Sequence, residues 1–203
     1  MNVNSWKTIY RFICEREQLL SGRSFEQQGM TQGASAELSI IEPEKAVSNI
    51  ETNSIESALL SALDKCEVSL LQELEPEKVN WIMIALTIYS DERARIAKNG
   101  IDPVKWRGVQ HSKLNIRSGG HYFYTCLDKL LEQSEQMVDV LDVYYFCLNQ
   151  GFVGCYYLDS TAKQSYLDKL DEVISHVIRP NPYASVVQIE RFPMKKLQPE
   201  LSI

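Results

Sequence analysis

Apolar residues recur at intervals of three and four along most of this chain. The strict alternation of a half-buried strand is scarce, so the pattern predicts an all-α protein of about seven to eight helices. Trp6, Ile9, Tyr10 and Ile13 share one face of a first helix over 4–20. Gly22, Gly29 and Gly33 punctuate a Ser- and Gln-rich stretch leading to Pro43, and 21–51 reads as a long loop with one short helical turn. A second helix is predicted over 54–74, capped by Asn53 with Glu56, with Ile55, Leu59, Ala62, Cys66, Leu70 and Leu74 inward. Pro76 suits the first position of a third helix over 76–99, ending near Gly100. The middle of this helix, Trp81 to Tyr89, is apolar on every side apart from Thr87. A helix apolar all round is enclosed by neighbours, so 76–99 is expected at the centre of the fold.

Asp102 and Pro103 start a fourth helix carrying Trp106, and Gly119-Gly120 precede a fifth over 121–132 with Phe123, Cys126, Leu127, Leu130 and Leu131 inward. A sixth helix over 137–150 is expected to close on Gly151 in the left-handed conformation, with Phe152 packing back on it. Ser160 is placed to cap a last helix over 161–179, which Pro180 and Pro182 end. The chain thus divides into an N-terminal helix with a long loop (1–53), a helical core (54–180) and an irregular tail (181–203).

Composition adds little to this picture, and charge adds more. Cys14, Cys66, Cys126, Cys147 and Cys155 form no CxxC pair, and four of them fall within apolar helical patterns, which suits free thiols in a reducing compartment. No stretch approaches the ~20 apolar residues of a membrane-spanning helix. Arg11, Glu15, Arg16 and Glu17 break up any signal peptide, so the chain reads as soluble. The net charge of −6 is unevenly spread: residues 1–92 carry −8, residues 93–117 carry +6, residues 118–178 carry −6 and residues 179–203 carry +2. An acidic body with one basic segment argues against a nucleic-acid binder and suits docking on charged protein surfaces.

Catalytic and cofactor signatures are missing from the sequence. His111, His121 and His176 lack zinc-ligand spacing to one another or to a cysteine. No Walker loop, dinucleotide glycine fingerprint, GxSxG elbow or HExxH is present, so no enzyme, cofactor or metal site is predicted. The sharpest polar feature is Asp91-Glu92, directly after the apolar heart of the third helix. Adjacent helical residues diverge by about 100°, which keeps the two carboxylates from sharing one proton. Two readings stay open: ion pairs to Arg95, at i+4 and i+3, or a partner-binding patch of Asp91, Glu92, Arg93 and Arg95. Asp91→Ala together with Glu92→Ala is expected to spare the fold, because partly exposed ion pairs contribute only about 0–1 kcal/mol each. Gly119-Gly120 reads first as a tight approach and second as an anion cradle. Tyr122, Tyr124, Tyr144, Tyr145, Tyr156 and Tyr157 read as core and rim packing.

Residues 140–157, VLDVYYFCLNQGFVGCYY, carry a resemblance. An apolar helix ending in Gly-Phe-x-Gly-x-Tyr, here Gly151, Phe152, Gly154 and Tyr156, resembles the TssL/DotU (IcmH) family. ALTIYSDERA at 85–94, Trp106, Gly119-Gly120 with Phe123 and Leu127, and Pro199-Glu200-Leu201-Ser202 resemble further family landmarks in the same order. The resemblance covers about 54–203. It departs from the family where Asn99 and Ser118 stand in place of a Trp before glycine, and where Cys155 replaces a basic residue.

The resemblance implies a hook of two small helical bundles, at the cytoplasmic face of the bacterial inner membrane. It implies a single membrane helix after Ile203, with the basic residues Arg191, Lys195 and Lys196 just before it agreeing with the positive-inside rule. It further implies work beside an IcmF/TssM-type partner, contact with baseplate proteins in a type VI system, and room for self-association. A type IVB system stays open beside type VI. An unrelated helical adaptor without a membrane link, and a helical hydrolase, are the competing readings.

Overall fold

The computed structural model describes residues 1–21, 44–97 and 106–177. These form seven α-helices and one short 3-10 turn: α1 (Val3–Leu20), α2 (Glu44–Leu70), α3 (Pro76–Ile96), α4 (Val109–Leu114), α5 (Gly119–Leu131), α6 (Ser134–Asn149), the turn Gly154–Tyr156, and α7 (Ser160–Val177). Among the described residues there is no strand. Nor is any helix among them long and apolar enough to cross a membrane.

The third predicted helix is central. Every residue from Ile82 to Asp91 is buried, and α3 packs against α2, α4, α5 and α6. Pro76 takes its first turn, where the missing N–H costs nothing, and Glu75 before it is extended, at φ −60° and ψ 141°. On one side α1 packs against α2, contributing Ile9, Phe12 and Leu20; on the other, α6 packs against α5 and α7. One unbroken apolar core runs through both groups, so the N-terminal helix shares the core that begins with α2.

Several boundaries differ from the sequence pattern. α2 begins at Glu44, ten residues before the predicted start, which leaves Asn53 and Glu56 inside the helix rather than at its cap. Ser, Asn and Thr in 48–54 lower helix propensity by only a few tenths of a kcal/mol each, and an existing helix propagates through them at little cost. The same helix ends at Leu70, and 71–74 is a turn. Trp106 lies ahead of α4 rather than in a helix, because Gly108 adopts φ +95° and breaks the path. Gly119 and Gly120 open α5 from within its first turn. Asp159, not Ser160, caps α7: its Oδ1 accepts the Ala162 N–H at 2.9 Å. Gly22, Gly29, Gly33, Pro43, Asn99, Gly100, Asp102, Pro103, Pro180, Pro182 and the tail 181–203 with its basic and Glu-Leu-Ser residues lie outside the described residues.

The end of α6 has the expected geometry. Gly151 is left-handed at φ +98°. The Phe152 N–H donates to the Cys147 carbonyl at 3.0 Å and the Gly151 N–H to that of Leu148 at 3.2 Å, the paired bonds of a Schellman cap. A Cβ on Gly151 would meet nothing within 4 Å, so only its backbone conformation requires glycine. Gly151→Ala is therefore expected to lower stability by about 1 kcal/mol, read as a lower urea midpoint at unchanged slope. A midpoint equal to the parent's would show that the left-handed cap contributes nothing.

Candidate functional site

The apolar face of α3 gives way to charge at Asp91, and this residue and Glu92 after it reach in different directions. Asp91 is 1% exposed, despite its charge. It accepts the Trp106 indole N–H at 2.9 Å through Oδ1 and pairs with Arg95 Nη2 at 2.9 Å through Oδ2. The amides of Val109 and Gln110 face the same carboxylate. Burial pushes its carboxyl above the ordinary aspartate range, while Arg95, Trp106 and those two amides pull it back. Gly108 lies against it so closely that a Cβ there would come within 2.7 Å of Oδ1. This carboxylate thus fastens the loop before α4 to the end of α3.

Glu92 fastens a second loop. Its two oxygens each accept one backbone N–H, from Val153 and Gly154, both at 2.8 Å. These amides open the 3-10 turn that follows the Gly151 cap, so the carboxylate caps that turn from 61 residues away in sequence. Phe152, fully buried, anchors the same loop from the other side against Phe123, at a ring separation of 4.2 Å.

The glycine motifs find their explanation here. A Cβ on Gly120 would come within 2.9 Å of the Gly154 carbonyl carbon and 3.0 Å of the Cys155 nitrogen, both backbone atoms that cannot swing aside. Gly154 is left-handed at φ +59°. A Cβ on Gly119 would collide with the Gln110 side chain. The start of α5 and the 3-10 turn therefore touch backbone to backbone, which is the tight-approach reading of Gly119-Gly120. Tyr156 stacks edge-on against Tyr124 at 4.6 Å and completes the contact.

The tyrosines divide as packing predicts. Tyr144 and Tyr124 are buried, Tyr145 and Tyr156 half-buried, and Tyr122 and Tyr157 exposed. Burial raises the Cys66 and Cys147 thiols to about 12, which leaves both protonated at neutral pH. Among the described residues no group of three or more His, Cys, Asp or Glu is placed to hold a metal ion.

Between the two fastened loops lies a cleft of about 200 Å³, lined by Asp91, Glu92, Arg95, Arg117 and the Ser118–Gly120 backbone among others. The geometry corrects one expectation. Asp91 is a buried hydrogen-bond acceptor, so removing the pair is not neutral to folding. The i+4 bond from Asp91 to Arg95 forms as its spacing predicts. Glu92, however, bonds the 153–154 amides, and Arg93 faces Glu17 of α1 at 3.6 Å. Sequence reasoning missed Gln110, Arg107 and Arg117; the only trace of the last two is the +6 charge of residues 93–117.

A model of the family described as type VI secretion system protein DotU matches residues 40–200. The chain belongs to the DotU family. Comparison with curated proteins and with solved structures gives no match. In this DotU-family chain the landmarks Asp91, Glu92, Trp106, Gly119, Gly120, Gly151, Phe152, Gly154 and Tyr156 are not scattered. All but Gly151 and Tyr156 meet around the C-terminal end of α3, where Trp106 and Gly154 are held by the two adjacent carboxylates.

Proposed function

We propose that this chain is a non-catalytic scaffold of a bacterial secretion-system membrane complex. On this reading it docks an IcmF/TssM-type inner-membrane protein and, in a type VI system, baseplate proteins, from the cytoplasmic face of the inner membrane. Membership of the DotU family supports a secretion-system component of type VI or type IVB and sets aside an unrelated adaptor. The observation that carries the docking role is the end of α3. Asp91 and Glu92 are spent on holding two loops, and the charges presented beside them are those of Arg95, half exposed at 52%, and of Arg93, at 27%. Asp91 and Glu92 then serve docking by shaping the surface, and Arg93 and Arg95 by offering charge to the partner. Rim charges of this kind orient a partner and set its rate of encounter more than its affinity.

The test is cross-linked capture of partners from native membranes with the full-length protein and with Arg95→Ala, folding being checked by circular dichroism. Recovery of the IcmF/TssM-type protein by the parent, reduced in Arg95→Ala and further reduced by salt, is expected. Failure of the parent to recover any component of the secretion machine would overturn the scaffold role. Equal recovery by a folded Arg95→Ala protein would move the docking face elsewhere.

A further inference from the structure

Beside the cleft between the loops lies a second, wider one of about 330 Å³, lined by Arg95, Arg107, Gln110, His111, Ile116 and Arg117. Its three guanidinium groups come from three separate segments: the end of α3, the loop before α4, and the link between α4 and α5. No carboxylate is among the described residues that line it. Asp91, which lines the neighbouring cleft, is buried with its oxygens given to Trp106 and Arg95.

The walls are set in advance. Asn115 takes the left-handed conformation at φ +54°, and the Ile116 N–H donates to the Gln110 carbonyl at 3.3 Å, which fixes the approach to Arg117. Lys113 does not line the cleft: its amine is held by Asp64 at 2.6 Å and Glu67 at 2.7 Å on α2. Arg107 and Arg117 are exposed.

We propose that this outer cleft receives an acidic segment of a partner protein, binding two or more Asp or Glu carboxylates through Arg95, Arg107 and Arg117. The inference rests on the docking role above and names the chemistry of the partner. A guanidinium presents a planar fork of N–H donors that matches a carboxylate in a two-point bond, and the forks of Arg107 and Arg117, beside the N–H groups of Arg95 that Asp91 does not take, select a run of carboxylates over a single one. The surroundings restrict the ligand further. Residues 1–92 and 118–178 carry −8 and −6, so the basic cleft is an island on an acidic body. A short acidic segment reaches the island alone. A long polyanion such as nucleic acid would also lie along the acidic surface on either side and be repelled by it.

The experiment uses fluorescein-labelled hexaglutamate, read by anisotropy, with hexalysine as the opposite-charge control and Arg107→Glu with Arg117→Glu as the variant. Both positions are exposed, so the variant is expected to fold, with its thermal midpoint as the check. Hexaglutamate should bind the parent, weaken as salt rises, and lose about tenfold or more in affinity in the variant, while hexalysine should not bind. Absence of hexaglutamate binding, or equal binding by the folded variant, overturns the proposal. Sedimentation with phosphatidylglycerol vesicles that the variant abolishes, in the absence of hexaglutamate binding, would reassign the cleft to lipid headgroups. Inorganic phosphate displacing the peptide at equal concentration would reduce it to a general anion site. Partner capture from membranes separates the two claims. Recovery by the parent and equally by the variant defeats the acidic-segment inference and leaves the scaffold role standing; no recovery by the parent defeats the scaffold role, and hexaglutamate still decides the cleft.

Discussion

Asp91→Ala should cost about 2 kcal/mol of folding stability, because the substitution strips the acceptor from a buried N–H donor. The donor is the Trp106 indole, on a residue 6% exposed. An unpartnered buried donor costs about 1–3 kcal/mol, and relief of the carboxylate's own desolvation offsets part of that. Arg95 adds little to the loss, since its half-exposed guanidinium returns to water. Asp91→Asn keeps one acceptor oxygen and should lose about half as much. Urea unfolding followed by Trp fluorescence measures both, and the fluorescence of Trp106 itself should shift as its N–H is released. A loss under 1 kcal/mol for Asp91→Ala would mean that the loop before α4 finds other acceptors and is not fastened by this residue.

Phe152→Ala is the second large effect, at about 3–5 kcal/mol. The ring is fully buried, 4.2 Å from Phe123 between centroids and edge-on to Tyr89 at 6.4 Å, so truncation leaves a cavity with rigid aromatic walls on several sides. The loss should exceed that of Gly151→Ala, one residue earlier, by a few kcal/mol. Two neighbouring positions of one motif therefore differ in kind: Gly151 supplies a backbone conformation and Phe152 supplies volume. Comparable losses for the two variants would show that the cavity collapses and that aromatic packing is not what holds this loop.

What could be read in the sequence is what depends on near neighbours in the chain. The apolar stretch Trp81–Tyr89 announces a buried helix because its burial needs only its own composition. Gly151 announces a helix end because the Schellman bonds span five residues. The Asp91–Arg95 bond follows from one helical turn. The unread part is long-range. Nothing near Glu92 indicates that its acceptors are engaged by amides at 153 and 154, and nothing near Trp106 indicates that its N–H finds Asp91 across a loop. Arg107 and Arg117 are ten residues apart, a spacing with no local meaning, and share a cleft only because α4 turns the chain back. The start of α2 was lost for a different reason: its first turns are polar, and polar helical turns look like loop when propensity is weighed without the cooperative contribution of the helix they extend.

The order of the acidic pair carries a rule of reach. An aspartate has one methylene between backbone and carboxylate and a glutamate has two, so adjacent positions on α3 act as a short arm and a long arm mounted on one rigid turn. The short arm draws the Trp106 loop in tightly, close enough that Gly108 has no room for a side chain; the long arm holds the 153–154 turn one carbon further out. Exchanging them to Glu-Asp would conserve charge, composition and helix propensity, yet push one loop away and leave the other beyond grasp. The dipeptide is therefore a gauge of distances, and its two letters cannot be read in reverse.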